Sequence, residues 1–343
     1  MCLLTLVFPV YNSGRFLPLL LEGVNHSLRD VADRSEIQIV FVDGHSTDNT
    51  INLVEKFALE FPCQLIRRIP RGVYDAWNVG IECARGEWVW VVCSDDLLYD
   101  DSLGQIIPLL RQAGSSIGFV GWNINVIDET GSVVSNTTES SPLNYMDECL
   151  TRVRNTRSGR FEALALYLFR AHFLSFMAHA FRRKVWEEMM FPTNIGPSAD
   201  IDWTLHAGLR GWSRFTVPQT LAAWRVHGGA ATSNAKHQQR ILAHAKLRAE
   251  VRSKLAALIR VKDSALEFEP AHDFYAWLSV YRQEKGPVRF RALIQSLRSA
   301  GLVGLLELTA GKLTNKNPLA AYRRPSRQFL RLLDKQEGDV VFE

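Results

Sequence analysis

Over roughly its first third, the chain alternates short apolar runs with longer segments of helical spacing, and this pattern limits the folds open to it more than any other feature. Leu3–Val10, Ile37–Val42, Gln64–Ile69, Trp88–Cys93 and Ile117–Val120 read as strands. Gly14–Leu28, Asp48–Leu59, Tyr74–Ala84 and Ser102–Gln112, which lie between them, read as helices. The strands are apolar on both faces, so each face needs a cover, and helices interleaved with strands supply it. The expected class is α/β, with a doubly wound, mainly parallel sheet of Rossmann-like type. In such sheets ligands sit beyond the carboxyl ends of the strands.

A length of 343 residues accommodates one large domain or two smaller ones. Hydrophobic residues at 47% and charged residues at 22% are ordinary globular values, which argues against disorder or a fibrous repeat. The net charge of +4 is unevenly placed: residues 240–343 hold 19 Lys and Arg against 11 Asp and Glu. A basic tail suits either anionic lipid or nucleic acid, and solvated helix faces explain it equally well. The five cysteines, Cys2, Cys63, Cys83, Cys93 and Cys149, form no C-x-x-C pair, so neither a disulfide framework nor a zinc site is expected. That pattern fits a reducing cytoplasm. The apolar opening Met1–Val10 lacks a basic leader and a cleavage site and reads as a buried first strand, and Phe161–Ala180 is too polar to span a bilayer.

Polar residues gather where the strands end. Pro9-Val10-Tyr11-Asn12 follows the first strand, Asp43-Gly44-His45-Ser46 the second, and Ser94-Asp95-Asp96 the fourth. Adjacent carboxylates such as Asp95 and Asp96 repel each other unless a cation or hydrogen-bond donors compensate them. Magnesium or manganese held by one or two carboxylates and by phosphate oxygens is one compensation; an acidic helix N-cap is the other. Asp43 offers a carboxylate to a ribose or base, and Tyr11 offers a ring face for stacking. Thr47 and Asp48 are placed to cap the helix that follows.

Taken together, Phe8–Asn12, Val42–Thr50, Gly72–Ile81 with its Tyr74-Asp75-Ala76-Trp77-Asn78 core, Ala84–Glu87 and Ser94–Asp96 resemble the family 2 glycosyltransferases of the GT-A fold. The flavour is that of the bacterial enzymes that build lipopolysaccharide, capsule and other exopolysaccharides. The resemblance implies that Pro9, Tyr11, Asn12, Asp43 and Asp75 line a nucleoside site, commonly for uridine. It implies that Ser94, Asp95 and Asp96 hold ribose, diphosphate and a Mn2+ or Mg2+ ion. Many relatives carry Asp or Asn where this chain has Cys93, which leaves open whether Asp95 or Asp96 ligates the metal.

Two later segments extend the likeness. At Ser198-Ala199-Asp200-Ile201-Asp202-Trp203, Asp200 matches the family's general base, with Asp202 in reserve, and Ala199 stands where relatives often have Glu. At Trp224-Arg225-Val226-His227, the resemblance places Arg225 near the diphosphate and His227 near the metal, with a buried core histidine as the alternative for His227. The expected organisation is a catalytic domain over residues 1–233, with a nucleotide-sugar half (1–120) and an acceptor half (121–233), then a helical, basic region over 234–343. Ser135–Gly159 reads as a long loop, and short strands are expected near Phe215 and at Ala223–Val226.

The implied activity is inverting transfer of a sugar from a nucleoside diphosphate sugar, UDP-linked by expectation, to a hydroxyl of a glycan or lipid-linked glycan. The expected location is cytoplasmic, peripheral at the inner face of the plasma membrane, with the C-terminal helices at anionic lipid and no nucleic-acid partner. Two rival readings remain. A nucleotidyltransferase would release pyrophosphate instead of nucleoside diphosphate, and a silent binding protein of the same fold would bind a nucleotide sugar without turnover.

Overall fold

The computed structural model describes residues 2–136, 176–196 and 199–229, together with Lys254 and Ala257 on a helix. One nine-stranded sheet runs through it. The strands are β1 (Leu4–Val10), β2 (Ile37–Asp43), β3 (Gln64–Arg67), β4 (Trp88–Val91), β5 (Leu97–Leu98), β6 (Ile117–Ile127), β7 (Val133–Asn136), β8 (His179–Arg182) and β9 (Ser213–Arg225). The helices are α1 (Leu17–Arg29), α2 (Thr50–Ala58), α3 (Val73–Glu82), α4 (Ser102–Gln112), α5 (Arg183–Glu188) and α6 (Ala199–Leu209).

The sheet order is β3-β2-β1-β4-β8-β6-β9-β5, with β7 paired to β6. Its longer ladders, β1 with β2 and β6 with β9, are parallel, as are β1 with β4 and β2 with β3. The antiparallel pairings, β4 with β8, β6 with β8, β5 with β9 and β6 with β7, are short. The expected α/β sheet is therefore present.

Strand alternation decides which helix each face meets. Leu4, Leu6, Phe8 and Val10 of β1, with Trp88 and Trp90 of β4, pack with Leu17, Leu20 and Val24 of α1 and Leu103 and Ile106 of α4. Val7, Val89 and Val91 point the other way, onto Tyr74, Trp77 and Ile81 of α3 and Ala199 and Trp203 of α6. Both faces are covered, so a period of two in each strand yields two cores.

Three sequence expectations need correction. β6 runs on to Ile127 instead of ending at Val120, because β9 and β7 pair with its second half. Residues 213–225 form one strand, not two short ones. The segment before residue 137 turns back as β7, so Ser135 and Asn136 belong to a strand and not to the expected loop. The remainder of that loop, and residues 234–343 apart from Lys254 and Ala257, lie outside the described residues. β6 also crosses the 120/121 division, so the two halves of the expected catalytic domain share one sheet. Among the described residues, no helix is long and apolar enough to cross a membrane.

Candidate active site

The loops that follow β1, β2 and β4 are tied to one another. Ser13 and Ser94 share a hydroxyl hydrogen bond of 2.7 Å, which joins the β1 and β4 loops. The Asn12 N–H donates to Ser46 Oγ at 2.9 Å, and Asn12 Oδ1 accepts from the Thr47 N–H at 2.8 Å, which joins the β1 and β2 loops. Asn12 has a φ of 48°, in the left-handed region that Asn tolerates better than most residues. Its amide oxygen is thus engaged inside the protein. Asp48 accepts from the Thr50 N–H at 3.0 Å and the Gly14 N–H at 2.9 Å, but the N-cap of α2 is Asn49, without a side-chain cap bond, and Thr47 is bonded to Asn12, so neither expected residue is the helix cap. Burial acts upward on the Asp48 carboxyl, but the hydrogen bonds from Thr50 and Gly14 outweigh it and hold the group below the usual carboxylate range.

Asp43 ends β2 beside Val10 and is fully buried. It accepts from the Ser46 N–H at 3.1 Å and from Arg67 Nε at 3.1 Å, so a charge placed in the interior is paired from two sides. Tyr11 is 65% exposed, and a Cβ added at Gly44 would lie 3.2 Å from its ring. The ring therefore lies along the backbone of Gly44. Asp75, in the first turn of α3, accepts from the Arg71 N–H at 2.9 Å and anchors the loop that leads from β3.

The acidic end of the site depends on two elements far apart in sequence. β5, only two residues long, follows Asp95 and Asp96 and pairs with Ala222 and Ala223 of β9. That pairing brings Arg225 against the carboxylates. The Arg225 N–H donates to Asp96 Oδ1 at 2.8 Å, its Nε to the Asp95 carbonyl at 2.7 Å, and its Nη1 to the Asp128 carbonyl at 2.9 Å. The guanidinium also lies 4.7 Å over the Phe16 ring. Arg225 is 1% exposed and stands behind the acidic loop as its brace. His227 Nε2 lies 2.9 Å from Asp95 Oδ2, with its ring 4.9 Å from that of Phe16.

The Cys93, Asp95 and Asp96 ligand atoms all lie within 4.8 Å of one another, which fits a divalent cation. The Cys93 thiol registers the whole arrangement. Loss of water pushes it well above its ordinary value, and the charges of Asp96, Asp95 and Asp200 push in the same direction. Asp200 lies in the first turn of α6. Its Oδ1 accepts from the Tyr74 hydroxyl at 3.0 Å and from the Ile201 N–H at 2.9 Å. Asp202 instead faces His206, with 3.5 Å between Oδ1 and Nδ1. Of the two expected base candidates, Asp200 is hydrogen-bonded to Tyr74 of α3, while Asp202 pairs with His206 within its own helix.

Two residues of the Gly72–Ile81 segment carry roles that sequence reasoning missed. Asn78 is buried and holds the turn at Phe191: its Nδ2 donates to the Phe191 carbonyl at 2.9 Å, and its Oδ1 accepts from Trp186 Nε1 at 2.8 Å. Tyr74 touches Asp200. Helical spacing with Trp77 and Ile81 puts Tyr74 on the buried face of α3, and a buried tyrosine hydroxyl calls for a partner, so the signal was present without naming that partner.

The family model Glycosyl transferase family 2 matches residues 5–190. A PGL/p-HBAD biosynthesis glycosyltransferase of Mycobacterium bovis is 32% identical over 111 residues, covering 32% of this chain and 41% of that protein. GlyG, a glycosyltransferase of Streptococcus pneumoniae, is 28% identical over 119 residues, covering 34% of this chain and 37% of that one. The chain thus spans about two fifths of the length of these relatives. Residues 1–349 of TarS from Staphylococcus aureus, solved in complex with UDP-GlcNAc, superimpose with a TM-score of 0.53 at 15% identity, covering 95% of this chain and 92% of that one. The mannosyltransferase PcManGT of Pyrobaculum calidifontis, solved with GDP-Man and Mn2+, gives a TM-score of 0.50 at 20% identity, covering 97% and 86%. The fold is that of the GT-A glycosyltransferases, and with a family match over more than half its length the chain belongs to glycosyl transferase family 2.

Proposed function

We propose that the chain is an inverting glycosyltransferase that moves a sugar from a UDP-linked donor to a hydroxyl of a glycan or lipid-linked glycan acceptor in surface polysaccharide assembly. The observation that carries this reading is the acidic loop after β4, where the Asp95 and Asp96 carboxylates lie within 4.8 Å of each other and are braced by Arg225 and His227. An anionic leaving group and an acceptor hydroxyl need opposite treatment: a cation held by paired carboxylates suits the first, and a separate carboxylate such as Asp200 suits the second.

In this reading Tyr11 stacks on the base, Pro9 and Asn12 shape that end of the site, and Asp43 and Asp75 bound the nucleoside. Ser94, Asp95 and Asp96 meet the ribose and diphosphate. Asp95 and Asp96 hold Mn2+ or Mg2+, with His227 fixing Asp95 from behind. When bound, that ion neutralises charge on the departing diphosphate. Arg225 contributes positive charge to the same end while bracing the loop.

Asp200 takes the proton of the acceptor hydroxyl as its oxygen forms a bond to the anomeric carbon. The bond from that carbon to the phosphate oxygen breaks on the opposite face, and the nucleoside diphosphate leaves with the electron pair. A single displacement inverts the anomeric configuration.

The basic region 234–343 is proposed to rest on anionic lipid at the inner face of the plasma membrane, which flotation with anionic liposomes tests directly. For the reaction, the test is Asp200→Asn. Donor-induced thermal stabilisation with Mn2+ is expected to stay at the wild-type level while release of nucleoside diphosphate falls about 100-fold or more. Wild-type turnover in that variant would sink the assignment of the base, and release of pyrophosphate would favour a nucleotidyltransferase.

A further inference from the structure

We propose that Tyr74 is a positioning residue for the reaction, holding the Asp200 carboxylate in the orientation from which it receives the acceptor's proton through the 3.0 Å hydrogen bond from its hydroxyl. This rests on the reading of Asp200 as the base and adds a second residue to it.

The geometry is built for this purpose. Tyr74 Oη and the Ile201 N–H both donate to Oδ1 of Asp200, so one carboxylate oxygen is clamped by two donors, one from each of two helices that are distant in sequence. A carboxylate held at one oxygen can no longer rotate freely about its bond to Cβ, which fixes where the rest of the group points. The Tyr74 ring is itself immobilised. It is 9% exposed, its centroid lies 4.9 Å from Trp77 at a steep angle, and it stacks at 6.2 Å on Phe191. Phe191 in turn lies 4.3 Å from Trp203, three residues after Asp200 on the same helix. The ring cluster thus sets the spacing of α3 and α6, and the hydroxyl uses that spacing. Burial first, and then the negative charge of Asp200, push the Tyr74 phenol far above its ordinary range, so it remains a donor at any working pH.

Tyr74→Phe keeps the ring packing and removes only the hydroxyl. The test compares wild type, Tyr74→Phe, Asp200→Asn and the double variant in the full chain, using UDP-N-acetylglucosamine and GDP-mannose with Mn2+ and following release of nucleoside diphosphate to water as acceptor. Tyr74→Phe is expected to lower kcat roughly 10- to 100-fold with donor KM changed by less than about 2-fold, the cost of losing a hydrogen bond to a charged group. In the Asp200→Asn background the same change is expected to do almost nothing, because residues that act as a unit are not additive. An unchanged kcat in Tyr74→Phe, or an equal loss in both backgrounds, would overturn the proposal. A rise in donor KM together with loss of Tm would assign Tyr74 to packing alone. Asp200→Asn at wild-type turnover would instead overturn the underlying reading of the base.

Discussion

Gly80 lies where α3 packs closely on β1 and β2, and replacing it with alanine is a sharp test of how the fold holds the candidate site. An added Cβ would lie 2.3 Å from Val7 Cγ1 and 3.1 Å from Val42 Cγ2. An unstrained carbon contact is about 3.8 Å, so α3 or the two strands must give way by about 1.5 Å on the Val7 side. Neither valine has room to turn, since both are buried in central strands and β-branched side chains are stiff at χ1. Overpacking of this kind costs about 1–3 kcal/mol. For a domain of this size that lowers Tm by roughly 2–12 °C. The functional effect should exceed the thermal one, because α3 carries Tyr74 and Asp75, and a displacement of about 1 Å costs on the order of 100-fold in turnover.

Gly104 provides the control. It is exposed within α4, and an added Cβ would meet no atom within 4 Å. Gly104→Ala should therefore raise stability by about 0.5–1 kcal/mol, from helix propensity alone. Differential scanning fluorimetry and donor turnover on both variants make the comparison. If Gly80→Ala matched Gly104→Ala in Tm and kept wild-type turnover, the claim that close packing of α3 sets the site would be refuted.

Arg225→Lys keeps the charge but loses the fork that serves the Asp95 and Asp128 carbonyls, so it is expected to destabilise the chain by about 2–4 kcal/mol in urea titrations and to weaken Mn2+-dependent donor stabilisation. A lysine variant as stable as wild type would show that charge alone matters there. His179 is buried among aromatic rings, and burial, followed by Arg214, lowers its pKa well below the ordinary value. The unfolded chain therefore binds a proton that the folded one resists, and stability should fall as pH drops below about 6.5 and be complete above it. Urea titrations from pH 5 to 8 should show that slope reduced in His179→Phe; an unchanged slope would remove His179 as its source.

Much of this arrangement was legible in the residues. The apolar character of both strand faces called for helices on each, and the sheet is covered on both, because successive side chains of a strand point to opposite faces. Asp43, Asp95 and Asp96 stood out as candidates for a related reason: Asp43 ends an apolar run and the acidic pair stands just past one, where a charge calls for a compensating partner. Asp48 was legible as a residue of the turn into α2, but not as its cap, which falls on Asn49.

Other features depended on contacts that no local pattern encodes. The strand Leu97–Leu98 is too short to carry a periodic signal and exists because β9 pairs with it. Through that pairing Arg225, which reads as a donor contact, becomes the buried brace of the acidic loop. Tyr74 and Asp200 lie 126 positions apart and meet only because Trp77, Phe191 and Trp203 pack α3 against α6. Sequence by itself determined the class of fold and marked the sheet edge at which polar and acidic residues gather, since these follow from short-range periodicity and from where charges interrupt it. Tertiary structure alone decided which side chains hold the acidic groups in place, because hydrogen bonding acts over ångströms of space, whatever the separation along the chain.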